Sequence, residues 1–101
     1  MGIFSFLSGK KVDYKSLLEK GAVIVDVRTP GEYAGGHVPK SINIPVDKIE
    51  GRLQELKRKN VPIITCCRSG ARSGMAKSML EANGIEAYNG GSWDSLQGKI
   101  K

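Results

Sequence analysis

Apolar runs rich in β-branched residues alternate along this chain with segments whose apolar residues recur at helical spacing. Four runs predict strands, at residues 22–27, 41–44, 61–66 and 85–88. Helices are predicted at residues 14–20, 46–59 and 73–82, with one helical turn at 29–33 and a last short helix opening at 92–96. Predicted strands and helices therefore alternate across short linkers.

This alternation predicts an α/β fold. Short linkers between strands and helices imply right-handed crossovers and a mostly parallel central sheet with helices on both faces, a three-layer sandwich. The length of 101 residues suits one domain, which we expect at 12–101 after an N-terminal segment at 1–11. In such sheets, ligands bind at the carboxyl ends of the strands, beside helix N-termini.

Particular residues are expected to set the ends and the buried faces of these elements. Asp13 is a candidate N-cap for the first helix and Gly21 a candidate C-terminal stop. Thr29 is a candidate N-cap for the helical turn, and Gly90-Gly91 predicts a turn. The buried faces are assigned to Val46, Ile49, Leu53 and Leu56 in the second helix and to Met75, Met79 and Leu80 in the third.

The chain carries 16 Lys and Arg against 10 Asp and Glu, a formal net charge of +6. Such an excess is compatible with nucleic-acid binding, with an anionic substrate, or with an ordinary solvated surface. The run Lys57-Arg58-Lys59 falls in the last turn of a predicted helix, where cations complement the helix dipole, and no aromatic residues interleave with it. We therefore expect no nucleic-acid partner.

The N-terminal stretch Met1–Leu7 is apolar but far too short to span a bilayer, and it lacks the pattern of a secretory signal. Gly2 suggests myristoylation, but Phe6 stands where that pattern needs Ser or Thr. We expect a cytoplasmic protein without membrane attachment, in which this segment forms a strand or flap on the core.

The stretch Thr65–Ser73, TCCRSGARS, contains both cysteines of the chain, side by side at a predicted strand-to-helix junction. A disulfide between neighbours would close a strained ring, and two thiols with His37 supply at most three of the four ligands of a structural metal site. We therefore predict neither a structural disulfide nor a metal. Counted to Arg72, the spacing is Cys-x5-Arg from Cys66 and Cys-x4-Arg from Cys67.

A tight turn at this junction can aim successive backbone N–H groups at one point and so bind an anion, with the helix dipole adding to the attraction. Gly70 relieves the steric strain of the turn, and two arginines add positive charge. Because successive strand residues point to opposite faces, only one thiol can lie at the base of this cradle. Cys66 continues the apolar strand, so we predict a buried Cys66 and a reactive Cys67 of lowered pKa.

The loop Cys67–Ser73 resembles the active-site loop of single-domain rhodaneses, in which a cysteine opens a six-residue loop closed by a basic residue. Four further segments resemble that family in the same order, so that the resemblance spans about residues 12–96. They are Val25–Arg28 with Glu32-Tyr33, Gly36–Pro39, Ile42–Pro45, and the closing set of Gly84, Gly90-Gly91 and Trp93.

This resemblance implies a rhodanese-like sandwich and a sulfurtransferase without a cofactor. Cys67 would attack a small anionic donor such as thiosulfate, carry the sulfur as a persulfide and pass it to a thiol, to cyanide, or to a protein such as thioredoxin. The residues expected to bind the donor are Arg68, Ser69, Gly70, Ala71 and Arg72, with the Arg72 guanidinium on the sulfonate oxygens. We expect a monomer.

Four other residues are expected to have structural roles, those of Asp26 and Arg28 by the same resemblance. Asp26 and Arg28 would form a polar pair at the end of the sheet, His37 a hydrogen-bonded loop anchor, and Trp93 a core or pocket-wall aromatic. Two alternatives remain open at this point. One is a phosphatase or arsenate reductase of related fold that uses Cys66 in a Cys-x5-Arg loop, and the other is a non-catalytic domain that binds a partner or carries persulfide.

Overall fold

The structure, a computed structural model, describes residues 12–101. Its strands are β1 (Val23–Asp26), β2 (Ile42–Asn43), β3 (Ile63–Cys67) and β4 (Ala87–Ser92). Its helices are α1 (Tyr14–Glu19), α2 (Pro30–Ala34), α3 (Leu53–Lys59), α4 (Ala71–Ala82) and α5 (Trp93–Lys99). Two 3₁₀ turns, Val46–Lys48 and Glu50–Arg52, precede α3.

The four strands form one parallel sheet in the order β2-β1-β3-β4. Val25 of β1 pairs with Ile42 of β2 on one side and with Thr65 of β3 on the other. Because all strands run the same way, their carboxyl ends meet at one edge of the sheet, and the loop after β3 leaves from the middle of that edge. The predicted α/β sandwich with a parallel sheet is confirmed.

Two apolar cores cover the two faces of the sheet, as the continuous apolar character of β1 and β3 requires. One core packs strand residues against the 46–59 segment and α4, and it contains Val25, Val27, Ile44, Ile49, Leu56, Ile63, Cys67, Ala76, Leu80, Ile85 and Ala87. The other packs the opposite strand residues against α1 and α5, and it contains Ala22, Ile24, Val38, Ile64, Cys66 and Leu96. The two adjacent cysteines thus belong to opposite cores.

The predicted helix caps of α1 and α2 are confirmed. The Asp13 carboxylate accepts a hydrogen bond from the backbone N–H of Ser16 at 3.0 Å, and Gly21 follows α1 with a φ of +103°. Thr29 caps α2 through a reciprocal pair of hydrogen bonds in which Glu32 is the partner. Glu32 is therefore fixed at the start of α2 by backbone contacts of its own.

The continuous helix predicted for 46–59 is wrong in its first half. The chain there makes two 3₁₀ turns, and regular α-helix begins at Leu53. Val46 and Ile49 are three residues apart, which matches the three-residue period of a 3₁₀ turn and brings both side chains to the same core. Gly51 lowers the helix propensity of this segment and so disfavours a regular α-helix there. The apolar residues still face the core as their spacing predicts, but the type of helix differs from the prediction.

Met75 was predicted to face inward, but 57% of it is exposed. The buried stripe of α4 is Ser73, Ala76 and Leu80, with Met79 on its flank. Met75 follows Ser73 by two positions, about 200° round the helix, and so lies on the far side. The small residues Ser73 and Ala76 face the sheet because α4 packs closely against β3 and β4.

The ends of other elements also differ from prediction, with consequences for the site in β3, α4 and β4. Strand β3 runs through Cys67, and α4 begins at Ala71, two residues earlier than expected. The predicted turn at Gly90-Gly91 lies inside β4, because β3 and β4 approach closely there. A Cβ on Gly90 would lie 2.9 Å from the Thr65 carbonyl oxygen and 3.0 Å from Ile64 Cγ2. Gly90 is thus needed for strand packing, which favours glycine as much as a turn does.

The strand or flap predicted for the apolar N-terminal segment lies outside the described residues. Within residues 12–101, no helix has the length and apolar composition needed to cross a membrane.

Candidate active site

The loop after β3 turns directly into α4. Cys67 is the last residue of the strand, Gly70 stands before the helix, and Ala71 is the first helical residue. Gly70 has a φ of +100°, in the left-handed region that strains any residue with a Cβ. The loop therefore closes around Cys67 in a conformation that this glycine permits, with Arg68 and Ser69 exposed above it.

The sulfur of Cys67 lies at the base of this loop among hydrogen-bond donors. The backbone N–H of Gly70 donates to it at 3.0 Å, and that of Ser73 donates at 3.4 Å. Burial opposes ionisation, since the residue is 0% exposed, but the backbone N–H groups, together with the Ser73 hydroxyl once it turns to the sulfur, outweigh it and lower the pKa of the thiol below its ordinary 9.0. The described loop therefore surrounds the Cys67 sulfur with donors that favour its thiolate form.

Ser73 and Asn89 form a second layer beneath the sulfur. The Asn89 amide nitrogen donates to the Gly70 carbonyl at 3.0 Å, while its oxygen accepts from the Gly91 N–H at 3.0 Å. The Ser73 hydroxyl donates to that same oxygen at 2.7 Å, and its oxygen lies 3.3 Å from the Cys67 sulfur. Since a hydroxyl has one proton, Ser73 accepts from the neutral thiol and must turn away from Asn89 to support the thiolate.

Cys66 lies on the opposite face of the sheet and is 0% exposed. Burial raises the pKa of its thiol to about 12, and the neighbouring Asp26 carboxylate adds to the shift. The alternation of strand residues thus separates the two thiols in environment and in acidity. Cys66 is a core residue, as predicted, and it does not face the loop.

The Arg72 guanidinium is paired with Glu32 of α2. Its two terminal nitrogens lie 2.8 and 3.1 Å from the two carboxylate oxygens, and both side chains are about one-third exposed. The expected contact of Arg72 with donor oxygens stays a prediction, but the position of this side chain is set by a residue that the sequence did not assign to the site. Among residues 12–101, Arg68 makes no ion pair.

Asp26 and Arg28 form the polar pair predicted at the end of the sheet. The Arg28 guanidinium donates to Asp26 at 2.7 and 2.9 Å, and the two side chains are 0% and 5% exposed. The hydrogen bond to Asp26 raises the pKa of Arg28, and the guanidinium lies 4.8 Å from the ring centroid of Trp93. The pair joins β1 to the loop after α2, since Arg28 also donates to the Gly36 carbonyl at 2.6 Å.

His37 is an exposed loop anchor, as predicted. Its Nδ1 donates to the Tyr33 carbonyl at 2.8 Å, and its ring stacks on the Tyr33 ring with centroids 3.8 Å apart. Trp93 packs in the core on the Cys66 face, in agreement with its predicted role as a core or wall aromatic. Neither residue is among the hydrogen-bond partners of the Cys67 sulfur.

Sequence reasoning missed three residues of this site: Ser73, Asn89 and Glu32. Ser73 follows the loop directly, and its place on the buried stripe of α4 was detectable only from the correct helix phase. Asn89 comes from β4, whose predicted boundaries were shifted. Glu32 is separated from Arg72 by 40 residues, so only the folded chain brings the two together.

The acidity of the two thiols gives a direct test of this geometry. In a Cys66→Ser protein, we expect the ultraviolet absorbance of the thiolate to rise with a midpoint below pH 9.0, because the donors around Cys67 favour its charged form. In a Cys67→Ser protein, the remaining thiol should stay protonated until near pH 12 or until unfolding. Equal midpoints in the two proteins would contradict the asymmetry.

The family model for the rhodanese-like domain matches residues 11–96. The chain belongs to the rhodanese-like domain family. This rhodanese-like domain is 34% identical over 80 residues to the thiosulfate sulfurtransferase PspE of Escherichia coli, with 76% of this chain and 77% of PspE covered. Relatives named as sulfurtransferases thus identify the chain as a member of a family of sulfurtransferases and sulfur carriers.

Two further comparisons agree with this family. The rhodanese-like domain is 39% identical over 82 residues to the uncharacterized protein YqhL of Bacillus subtilis. The aligned region covers 79% of this chain but only 64% of YqhL. Its fold matches the crystal structure of SSP1007 from Staphylococcus saprophyticus with a TM-score of 0.71 and 32% identity, covering 86% of this chain and 92% of that one.

Proposed function

We propose that this protein is a thiosulfate sulfurtransferase-type enzyme, which moves sulfane sulfur from thiosulfate or a similar small anionic donor to a thiophilic acceptor through a persulfide on Cys67. The observation that supports this most is the set of N–H donors around the Cys67 sulfur, with Gly70 at 3.0 Å and Ser73 at 3.4 Å. These groups favour the thiolate, and in this proposal N–H groups of the same loop hold the negative charge of the persulfide afterwards.

In the first half-reaction, the Cys67 thiolate attacks the outer sulfur of thiosulfate. A bond forms between the two sulfurs, the bond from the outer sulfur to the sulfonate sulfur breaks, and the electron pair leaves with sulfite. In the second half-reaction, a nucleophilic acceptor attacks the terminal sulfur of the persulfide and regenerates the thiolate. In both steps the attacking group supplies the electron pair of the new bond and the leaving group takes the pair of the broken bond, so no external oxidant or reductant is required.

The proposed acceptor is a thiol or cyanide, and it includes the exposed thiol of a protein such as thioredoxin. Arg68, Ser69 and Ala71 are exposed around the mouth of the loop and would meet either partner first. A role as a persulfide carrier uses the same first half-reaction, and it differs only in the identity of the acceptor. A non-catalytic scaffold would have no use for an acidic thiol at the base of an N–H cradle.

A phosphatase or arsenate reductase that uses Cys66 receives no support from the geometry. Cys66 is buried in the core on the α1 and α5 face, and the pKa of its thiol is raised to about 12. The loop that closes around a sulfur is therefore the Cys-x4-Arg loop opened by Cys67.

The proposal is tested by adding stoichiometric thiosulfate to the fully reduced protein and measuring its intact mass. We expect a mass increase of one sulfur atom, located on Cys67 by peptide mapping and removed by cyanide with release of thiocyanate. An unmodified protein that hydrolyses an aryl phosphate would overturn the proposal in favour of a phosphatase.

A further inference from the structure

Arg72, the basic residue that closes the loop, is already bound to a carboxylate of its own chain. Both terminal nitrogens of the guanidinium are engaged, one on each oxygen of Glu32, at 2.8 and 3.1 Å. This end-on, bidentate arrangement is the one that a guanidinium would also use with two oxygens of a sulfonate. A sulfonate donor that takes this end-on edge must therefore displace Glu32, and one that binds the remaining N–H groups meets a guanidinium whose charge Glu32 already compensates.

Glu32 holds its position independently of Arg72. Its Oε1 also accepts hydrogen bonds from the backbone N–H and the hydroxyl of Thr29, at 2.9 and 3.2 Å, within the capping box of α2. The hydrogen bonds from Arg72 and Thr29 lower the pKa of Glu32 to about 2. The carboxylate is thus charged and preorganised at any pH at which sulfur transfer operates.

Donors of sulfane sulfur differ in how much charge this site must neutralise. Thiosulfate brings two negative charges and releases sulfite, also a dianion. An organic persulfide RSSH reacts when the Cys67 thiolate attacks its terminal sulfur. The S–S bond of the donor breaks, RS⁻ leaves with one charge, and the proton stays on the transferred sulfur. Only thiosulfate places an oxyanion group where a free Arg72 would be needed.

We propose that Glu32 is a specificity-determining positioning residue, which holds Arg72 and so biases the Cys67 site towards organic persulfide donors and against sulfonate donors such as thiosulfate. This inference rests on the proposed sulfur transfer at Cys67 and refines its donor class. It assigns thiosulfate the role of a weak substrate that competes with Glu32 for Arg72.

The test is Glu32→Gln, which keeps an oxygen for the Thr29 N–H and so preserves the capping box, since glutamine serves at this position as glutamate does. The measurement is steady-state kinetics with thiosulfate and with glutathione persulfide as donors. We expect the KM for thiosulfate to fall about fivefold, which is the upper range for release of one exposed ion pair. The KM for the persulfide should change by less than about twofold. Glu81→Gln is the matched control, since Glu81 forms an exposed ion pair with Lys77 near the far end of α4.

Release of Arg72 is distinguished from a general gain in positive charge by the double variant. In an Arg72→Gln background, adding Glu32→Gln should no longer change the KM for thiosulfate. An equal fall in KM in that background, or equal changes for both donors, would overturn the inference while sulfur transfer stands. Failure of the unaltered protein to load sulfur from either donor would instead overturn the proposed function.

Discussion

Replacement of Cys67 by serine is expected to abolish sulfur transfer, with a loss of at least about 1,000-fold in kcat/KM, because the nucleophile and the sulfur carrier are the same atom. A serine hydroxyl is not ionised near neutral pH and forms no persulfide. The measurement is thiocyanate formation from thiosulfate and cyanide, together with the intact mass after donor is added.

The matched control is Cys66→Ser, an identical substitution at the neighbouring position. We expect it to retain transfer within about threefold, because Cys66 lies on the other face of β3 and does not contact the loop. Its persulfide lifetime should equal that of the unaltered protein, since a thiol on the opposite face cannot attack the sulfur on Cys67. An equal loss of transfer in both variants would refute the assignment of Cys67 as the carrier.

The second large effect is expected from Asp26→Asn, and it concerns stability. Asp26 and Arg28 are 0% and 4% exposed, and removal of one partner leaves the buried guanidinium uncompensated. Breaking a buried ion pair in this way costs about 3 kcal/mol or more of unfolding free energy. For a domain of this size, the unfolding midpoint should fall by about 10 °C or more, as measured by circular dichroism.

The control for Asp26→Asn is Glu55→Gln, which removes a carboxylate from the exposed pair between Arg52, at the end of the second 3₁₀ turn, and Glu55 of α3. Since exposed pairs contribute little to stability, its unfolding midpoint should stay within about 4 °C of that of the unaltered protein. Similar shifts in the two variants would mean that burial does not determine the contribution of the Asp26–Arg28 pair.

The α/β fold and the opposite orientation of the two cysteine side chains were predictable because both depend on local periodicity. The apolar runs of β1 and β3 and the alternation of strand residues follow from the chain itself. The helix phase of α4 was not predictable in the same way, since the stripe that faces the sheet is made of small residues and the larger Met75 faces solvent. Close packing against β3 and β4 overrides the size of the side chains.

The parts of the site that sequence did not reveal are all contacts between distant segments. Arg72 was expected to have its guanidinium available, and only the position of α2 beside α4 gives it Glu32 as a partner. Asn89 supports the loop from β4, at a position whose neighbours at 90–91 suggested a turn. Each of these contacts depends on how the elements pack, which no short pattern in the sequence records.

Because the two adjacent cysteines face opposite sides of the sheet, labelling of Cys66 can serve as a reference for labelling of Cys67 in the same molecule. Cleavage after basic residues releases Asn60–Arg68 as one peptide that contains both sulfurs. A thiol reagent applied before and after denaturation therefore reads two properties from that one fragment. Before denaturation, label on Cys67 alone reports protein that is folded and chemically competent, whereas label on both sulfurs reports protein that has lost its fold.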